Sequence, residues 1–112
     1  MQKEAKILWT TDNKETAMNM VCLYAHNAKL KGWIDDVTVL VWGASQKLIN
    51  EDKEIQEKVK AMITDGVKVV ACLKCADNME ITDGLNACNI DVFYTGEFLS
   101  DWIKSGETII SV

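Results

Sequence analysis

The chain has 112 residues, a formal net charge of -5, four cysteines and no proline. That length serves one hydrophobic core and is too short for two ordinary ones, so residues 1–112 are expected to be a single domain. With 12 Lys and Arg against 17 Asp and Glu, and no basic run, no nucleic-acid partner is expected; no segment approaches the roughly 20 apolar residues of a membrane helix, so no membrane partner is expected either.

The opening MQKEAKILW lacks the long apolar stretch of a signal peptide, and four cysteines without a secretion signal read as reduced thiols in a cytoplasmic protein. Ala5 to Thr11 is a short apolar run closed by Thr11, Asp12 and Asn13, which predicts a buried first strand. Asp12 and Glu15 form a candidate capping pair, after which Ala17, Met20, Val21, Tyr24, Ala25 and Ala28 recur at helical spacing up to Gly32. Asp36 to Trp42 is rich in β-branched residues and apolar on both parities, as a strand covered on both faces requires. Ser45 is a candidate N-cap for a short helix through Ile49, and a second helix from about Asp52 aligns Ile55, Val59, Met62 and Ile63, with Glu54 and Lys58 as a supporting pair.

Val67 to Leu73 predicts the third strand, and a helical turn or two between Ala76 and Cys88 puts Ile81, Leu85 and Cys88 on one side. Asp91 to Thr95 is a fourth strand; a last helix turns Phe98, Leu99, Trp102 and Ile103 inward, and Thr108 to Val112 is a fifth strand. Alternation of this kind demands crossover connections. The expected fold class is therefore α/β: a three-layer α/β/α arrangement around a five-stranded, largely parallel sheet.

In such sheets chemistry collects beyond the carboxyl ends of the strands, at Thr10 to Asn13, Trp42 to Ser45 and Lys74 to Asn78. Cys75 is the candidate catalytic thiol, just past the third strand and before the next helix, where free N–H groups favour a thiolate. Lys74 adds positive charge beside it. Cys72 belongs to the strand and is a secondary candidate, either packed or a resolving thiol, while Cys22 and Cys88 read as core. A structural zinc wants four ligands, and beyond Cys72 and Cys75 there is only His26 on a distant helix, itself read as structural, so no metal is expected. A thioredoxin-type redox pair in its usual form relies on a cis-proline, and the chain has none. Trp9 and Trp42 are either pocket walls or core. The hydroxyl-rich loop Thr10 to Thr16 lacks the glycines of a phosphate cradle, so no cofactor is assigned and a flavin carrier ranks last.

KILWTTDNKETA, VLVWGAS and VKVVACLKCADN, in this order over nearly the whole length, resemble the DsrE family of small DsrE/DsrF-like sulfur-relay proteins. The resemblance implies a parallel sheet flanked by helices and assembly as trimers or dimers of trimers. Its better-known members carry sulfane sulfur as a cysteine persulfide, on a cysteine after the third strand followed by small residues; Cys75-Ala76 stands at the matching place. The expected function is a sulfur carrier or sulfurtransferase that accepts and passes on sulfane sulfur at Cys75, in a homo-oligomer served by donor and acceptor proteins. Thr11, Asn13, Trp42, Gly43, Ser45 and Lys74 would line the pocket around the terminal sulfur. The rival is a non-catalytic module on the same fold that binds a small ligand or a protein.

Overall fold

The structure is a computed structural model and describes residues 2–112. Strands β1 (Glu4–Trp9), β2 (Asp36–Val41), β3 (Lys68–Cys72), β4 (Asp91–Phe93) and β5 (Ile109–Ser111) form one sheet in the order β4-β3-β2-β1-β5, and every neighbouring pair is parallel. This is the α/β arrangement that the alternation predicts. The register aligns Trp9 with Val41 and Val41 with Ala71, so β1, β2 and β3 end flush and deliver their following loops to one edge.

The layering follows from handedness. The first three crossovers step in one direction along the sheet, β1 to β2 to β3 to β4, and right-handed connections then place their helices on the same face. These are α1 (Lys14–Thr16), a π-helical segment Ala17–Cys22 and α2 (Leu23–Leu30), followed by α3 (Ala44–Glu51), α4 (Lys53–Thr64), α5 (Leu73–Asn78) and α6 (Thr82–Asn86). The last crossover runs back across the sheet from β4 to β5, so α7 (Gly96–Ser105) lies on the opposite face.

The larger core joins Ile7, Trp9, Val39, Val41 and Ala71 of the sheet to Val21, Ala25, Ile55, Val59, Met62 and Leu85 of the helices. The smaller one seats Trp102 on Leu40 and Val70, with Phe93 and Phe98 packed edge to face beside it at 5.8 Å. Helix spacing in the first helical stretch is interrupted by the π-helical segment, which turns Met20 out (36 % exposed) and buries Cys22. Ile103, expected inward, faces solvent at 64 % exposure, while Phe98, Leu99 and Trp102 pack as expected.

Several caps differ from expectation. Asn13, rather than Asp12, caps α1, its Oδ1 accepting from the Thr16 N–H at 2.9 Å. Gly43, rather than Ser45, is the N-cap of α3. Glu54 pairs with Lys14 at 3.0 Å and not with Lys58, whose ammonium instead donates to His26 Nδ1 at 2.7 Å. His26 is buried, and its Nε2 lies 2.7 Å from Asp65 Oδ2. A lysine only donates and a carboxylate only accepts, so the imidazole satisfies both with its proton on Nε2 and is held as a structural bridge between α2 and the end of α4.

Among the described residues no helix is long and apolar enough to cross a membrane.

Candidate functional site

The cysteines sit where β3 turns into α5. Cys72 ends the strand and is also the N-cap of α5, with extended backbone at φ -73° and ψ 114°; Cys75 is the third residue of that helix. Cys75 is thus inside the first turn and not ahead of it, and the residue at the cap itself is Cys72. A cap residue turns its side chain toward the N–H groups of the first helical turn. Cys72 stands at this cap without a side-chain cap hydrogen bond, and the N–H groups of Cys75 and Lys74 and the thiol of Cys75 are the neighbours that act on its ionisation.

Electrostatics divide the two sulfurs. For Cys72, burial works to raise the pKa, but the N–H of Cys75, the thiol of Cys75, the Thr95 hydroxyl and the N–H of Lys74 outweigh it, and the net is downward. For Cys75, burial and the neighbouring Cys72 sulfur push the pKa up, against the opposing influence of the Gly43 N–H and the Trp42 side chain. The pair therefore gives up its first proton readily and its second reluctantly, which is the behaviour of two thiols sharing one proton. Exposure runs the other way: Cys72 is buried, and Cys75 is partly open to solvent. Cys22 and Cys88 are buried, and burial lifts the Cys22 thiol to about 11, which leaves both as packing residues as expected.

The neighbouring turns are locked onto this pair. Gly43 adopts φ 75° and ψ -131°, a conformation closed to ordinary L residues. Its N–H donates to Gln46 Oε1 at 2.9 Å, and Gln46 Nε2 donates to the Cys72 carbonyl at 2.8 Å. The fully buried Gln46 amide thereby ties the β2–α3 turn to the β3–α5 turn and brings Trp42 and Gly43 to the Cys75 sulfur. From the far side, at the end of β4, comes Thr95. The residue is 1 % exposed, its Oγ1 has no hydrogen-bond partner among the described residues, and its hydroxyl acts to lower the Cys72 pKa.

The other expected pocket residues go elsewhere. Thr11 Oγ1 accepts from the Asn13 N–H at 3.1 Å, and Asn13 is committed to its cap. Ser45 is buried and donates to the carbonyls of Trp9 at 2.6 Å and Trp42 at 3.2 Å, stitching the ends of β1 and β2 together. Lys74 is exposed and contributes its backbone N–H. Trp9 is wholly buried core, its indole N–H donating to the Thr11 carbonyl at 3.0 Å. Gln46 and Thr95 were not legible as site residues, since neither belongs to a motif and Thr95 reaches Cys72 only through the β3–β4 pairing, in which Cys72 aligns with Phe93.

The DsrE/DsrF-like family profile matches residues 10–112. The chain belongs to the DsrE/DsrF-like family. Within this fold a conserved protein of unknown function, BT1422 from Bacteroides thetaiotaomicron, is similar at 37 % identity and a TM-score of 0.96, over 98 % of this chain and 95 % of that one. Two solved structures share the fold at lower identity. The protein of unknown function MTH1491 from Methanobacterium thermoautotrophicum has 16 % identity and a TM-score of 0.78, over 99 % of this chain and 100 % of that one. The ychN protein from E. coli has 17 % identity and a TM-score of 0.66, over 96 % and 99 %. A comparison with curated proteins gives no match. Sulfur relay is what membership of the DsrE/DsrF-like family suggests at the family level.

Proposed function

We propose that this protein is a cytoplasmic sulfur carrier that accepts sulfane sulfur on Cys75 as a persulfide and passes it on. The observation that carries the reading is the accessible Cys75 thiol beside an acidic partner thiol, at the carboxyl edge of the sheet in a DsrE/DsrF-like chain. Acceptance needs a nucleophile that a donor can reach, and Cys75 is the more open of the two sulfurs. It also needs the Cys75 proton removed, and the Gly43 N–H and the Trp42 side chain are the groups whose influence favours the Cys75 thiolate. The Cys75 thiolate then attacks the outer sulfur of a donor persulfide; the donor thiolate leaves and the new sulfur stays on Cys75. A second attack on that sulfur, by an acceptor thiol, returns Cys75 to its starting state. We place this site in a homo-oligomer, trimeric or hexameric, that meets separate donor and acceptor proteins.

The test is mass spectrometry of the intact protein after incubation with glutathione persulfide followed by alkylation. At early times the parent protein is expected to carry one added sulfur atom on Cys75, and Cys75→Ser to carry none. Labelling of Cys75→Ser to the same extent as the parent would show that the accepting thiol lies elsewhere.

A further inference from the structure

We propose that Cys72 resolves the persulfide formed on Cys75, so that the protein reduces sulfane sulfur to hydrogen sulfide and is left with a Cys72–Cys75 disulfide. The inference rests on Cys75 being the accepting thiol. It starts from the placement of the two sulfurs at the same helix start, Cys72 at the cap and Cys75 three residues on. Cα atoms three residues apart on a helix are separated by about 5 Å, within the roughly 4.4–6.8 Å that a disulfide spans. Cys72 has an extended ψ of 114° at the start of that turn, and the two thiols are near enough for each to shift the ionisation of the other. The missing proline removes the usual thioredoxin arrangement and leaves this geometry intact.

Two buried groups adjoin Cys72. Thr95, 1 % exposed and with no hydrogen-bond partner for its Oγ1 among the described residues, is near enough to Cys72 to lower its pKa, and its hydroxyl can donate to a Cys72 thiolate. Gln46 holds the Cys72 carbonyl at 2.8 Å and so fixes the backbone that carries this nucleophile.

The reaction balances without an external oxidant. The Cys72 thiolate attacks Cys75 Sγ, a bond forms between the two protein sulfurs, and the bond from Cys75 Sγ to the outer sulfur breaks. The outer sulfur departs as hydrosulfide and takes up the proton that Cys72 has released. The sulfane sulfur gains two electrons and the dithiol loses two. Hydrosulfide is a weaker base than a protein thiolate, which makes it the better leaving group in this exchange. A dithiol reductant returns the protein to its reduced form by thiol–disulfide exchange.

The experiment uses reduced protein under anaerobic conditions with glutathione persulfide, reading free sulfide and the intact and peptide masses without reductant. The parent is expected to release sulfide in proportion to protein and to lose the mass of two hydrogens, with the peptide holding Cys72 and Cys75 cross-linked within itself. Cys72→Ser and Cys72→Ala are expected to retain one added sulfur on Cys75 and to lose sulfide release. A parent that keeps the added sulfur and forms no disulfide overturns the resolving role while leaving acceptance at Cys75 intact. Sulfide release by both Cys72 variants at the parent rate overturns it as well. If neither Cys72 variant acquires sulfur and the parent releases none, acceptance at Cys75 is what fails, and the resolving step falls with it.

Discussion

Lys6 is buried on the face of β1 that looks toward α7, and its ammonium lies 2.8 Å from Glu4 Oε1 and 2.6 Å from Glu107 Oε1. Burial works to lower its pKa, but the two carboxylates outweigh this and the net is upward. For Glu4, burial raises the pKa, and hydrogen bonds from Lys6 and from the Thr38 hydroxyl, at 2.7 Å, bring it below the ordinary value. The signs define two windows. Glu4, with a depressed pKa, contributes stability that is present above the ordinary carboxylate value and lost as pH falls through its lowered one. Lys6, with a raised pKa, contributes stability that is present below the ordinary lysine value and lost as pH rises through its raised one. Urea denaturation across pH should therefore show stability falling in acid, with part of that slope removed in Glu4→Gln. Equal acid slopes in the parent and the variant would contradict the pairing. The cluster lies toward the amino ends of the strands, away from the cysteines, so these changes should leave sulfur acceptance unaltered.

Between elements, the joint that matters is the Gln46 bridge from the β2–α3 turn to the β3–α5 turn. Gln46→Leu removes an acceptor from the Gly43 N–H and a donor from the Cys72 carbonyl. Leaving buried polar groups unpaired costs about 1–3 kcal/mol each, so a loss of about 2–6 kcal/mol is expected in equilibrium denaturation, together with slower alkylation at Cys75. Strands and crossovers were legible because burial writes itself into pattern: Asp36 to Val41 is apolar on both parities and is buried from Val37 onward, and Ile55, Val59 and Met62 share a buried helix face. Caps were less so. Asp12 and Asn13 are both competent caps, as are Gly43 and Ser45, and the choice falls to backbone geometry set by the sheet. The site was legible only where it is local in sequence. Cys72 and Cys75 announce themselves by spacing, but the division of labour between them depends on which one stands at the cap, and a shift of one turn decides that. Gln46 and Thr95 come from other connections and carry no signature, so their part became visible only with the strand order.

Taken whole, the molecule protects the two faces of its sheet unequally. Among the described residues three crossovers cover one face and α7 alone covers the other, while apolar side chains remain open on the first helical stretch at Met20, Leu23 and Leu30 and, just beyond it, at Trp33. Met20, Leu23 and Trp33 line one shallow surface depression, and clustered exposed apolar side chains are the kind of surface that contacts another protein. For the proposed homo-oligomer we expect sedimentation equilibrium to report more than one chain per particle, and Leu23→Asp with Trp33→Asp to shift it toward the single chain while the far-UV spectrum is kept. A particle mass of one chain for the parent would remove this interface. The central claim, however, is that Cys72 and Cys75 form one acid–base unit at the start of α5, and it is tested most directly by the rate of alkylation at each cysteine against pH, resolved by peptide mass. The account predicts a first ionisation of the pair below the ordinary thiol value and a second above it, with this split collapsing in Cys72→Ser. Two independent ionisations at the ordinary thiol value, unchanged when Cys72 is replaced, would contradict it.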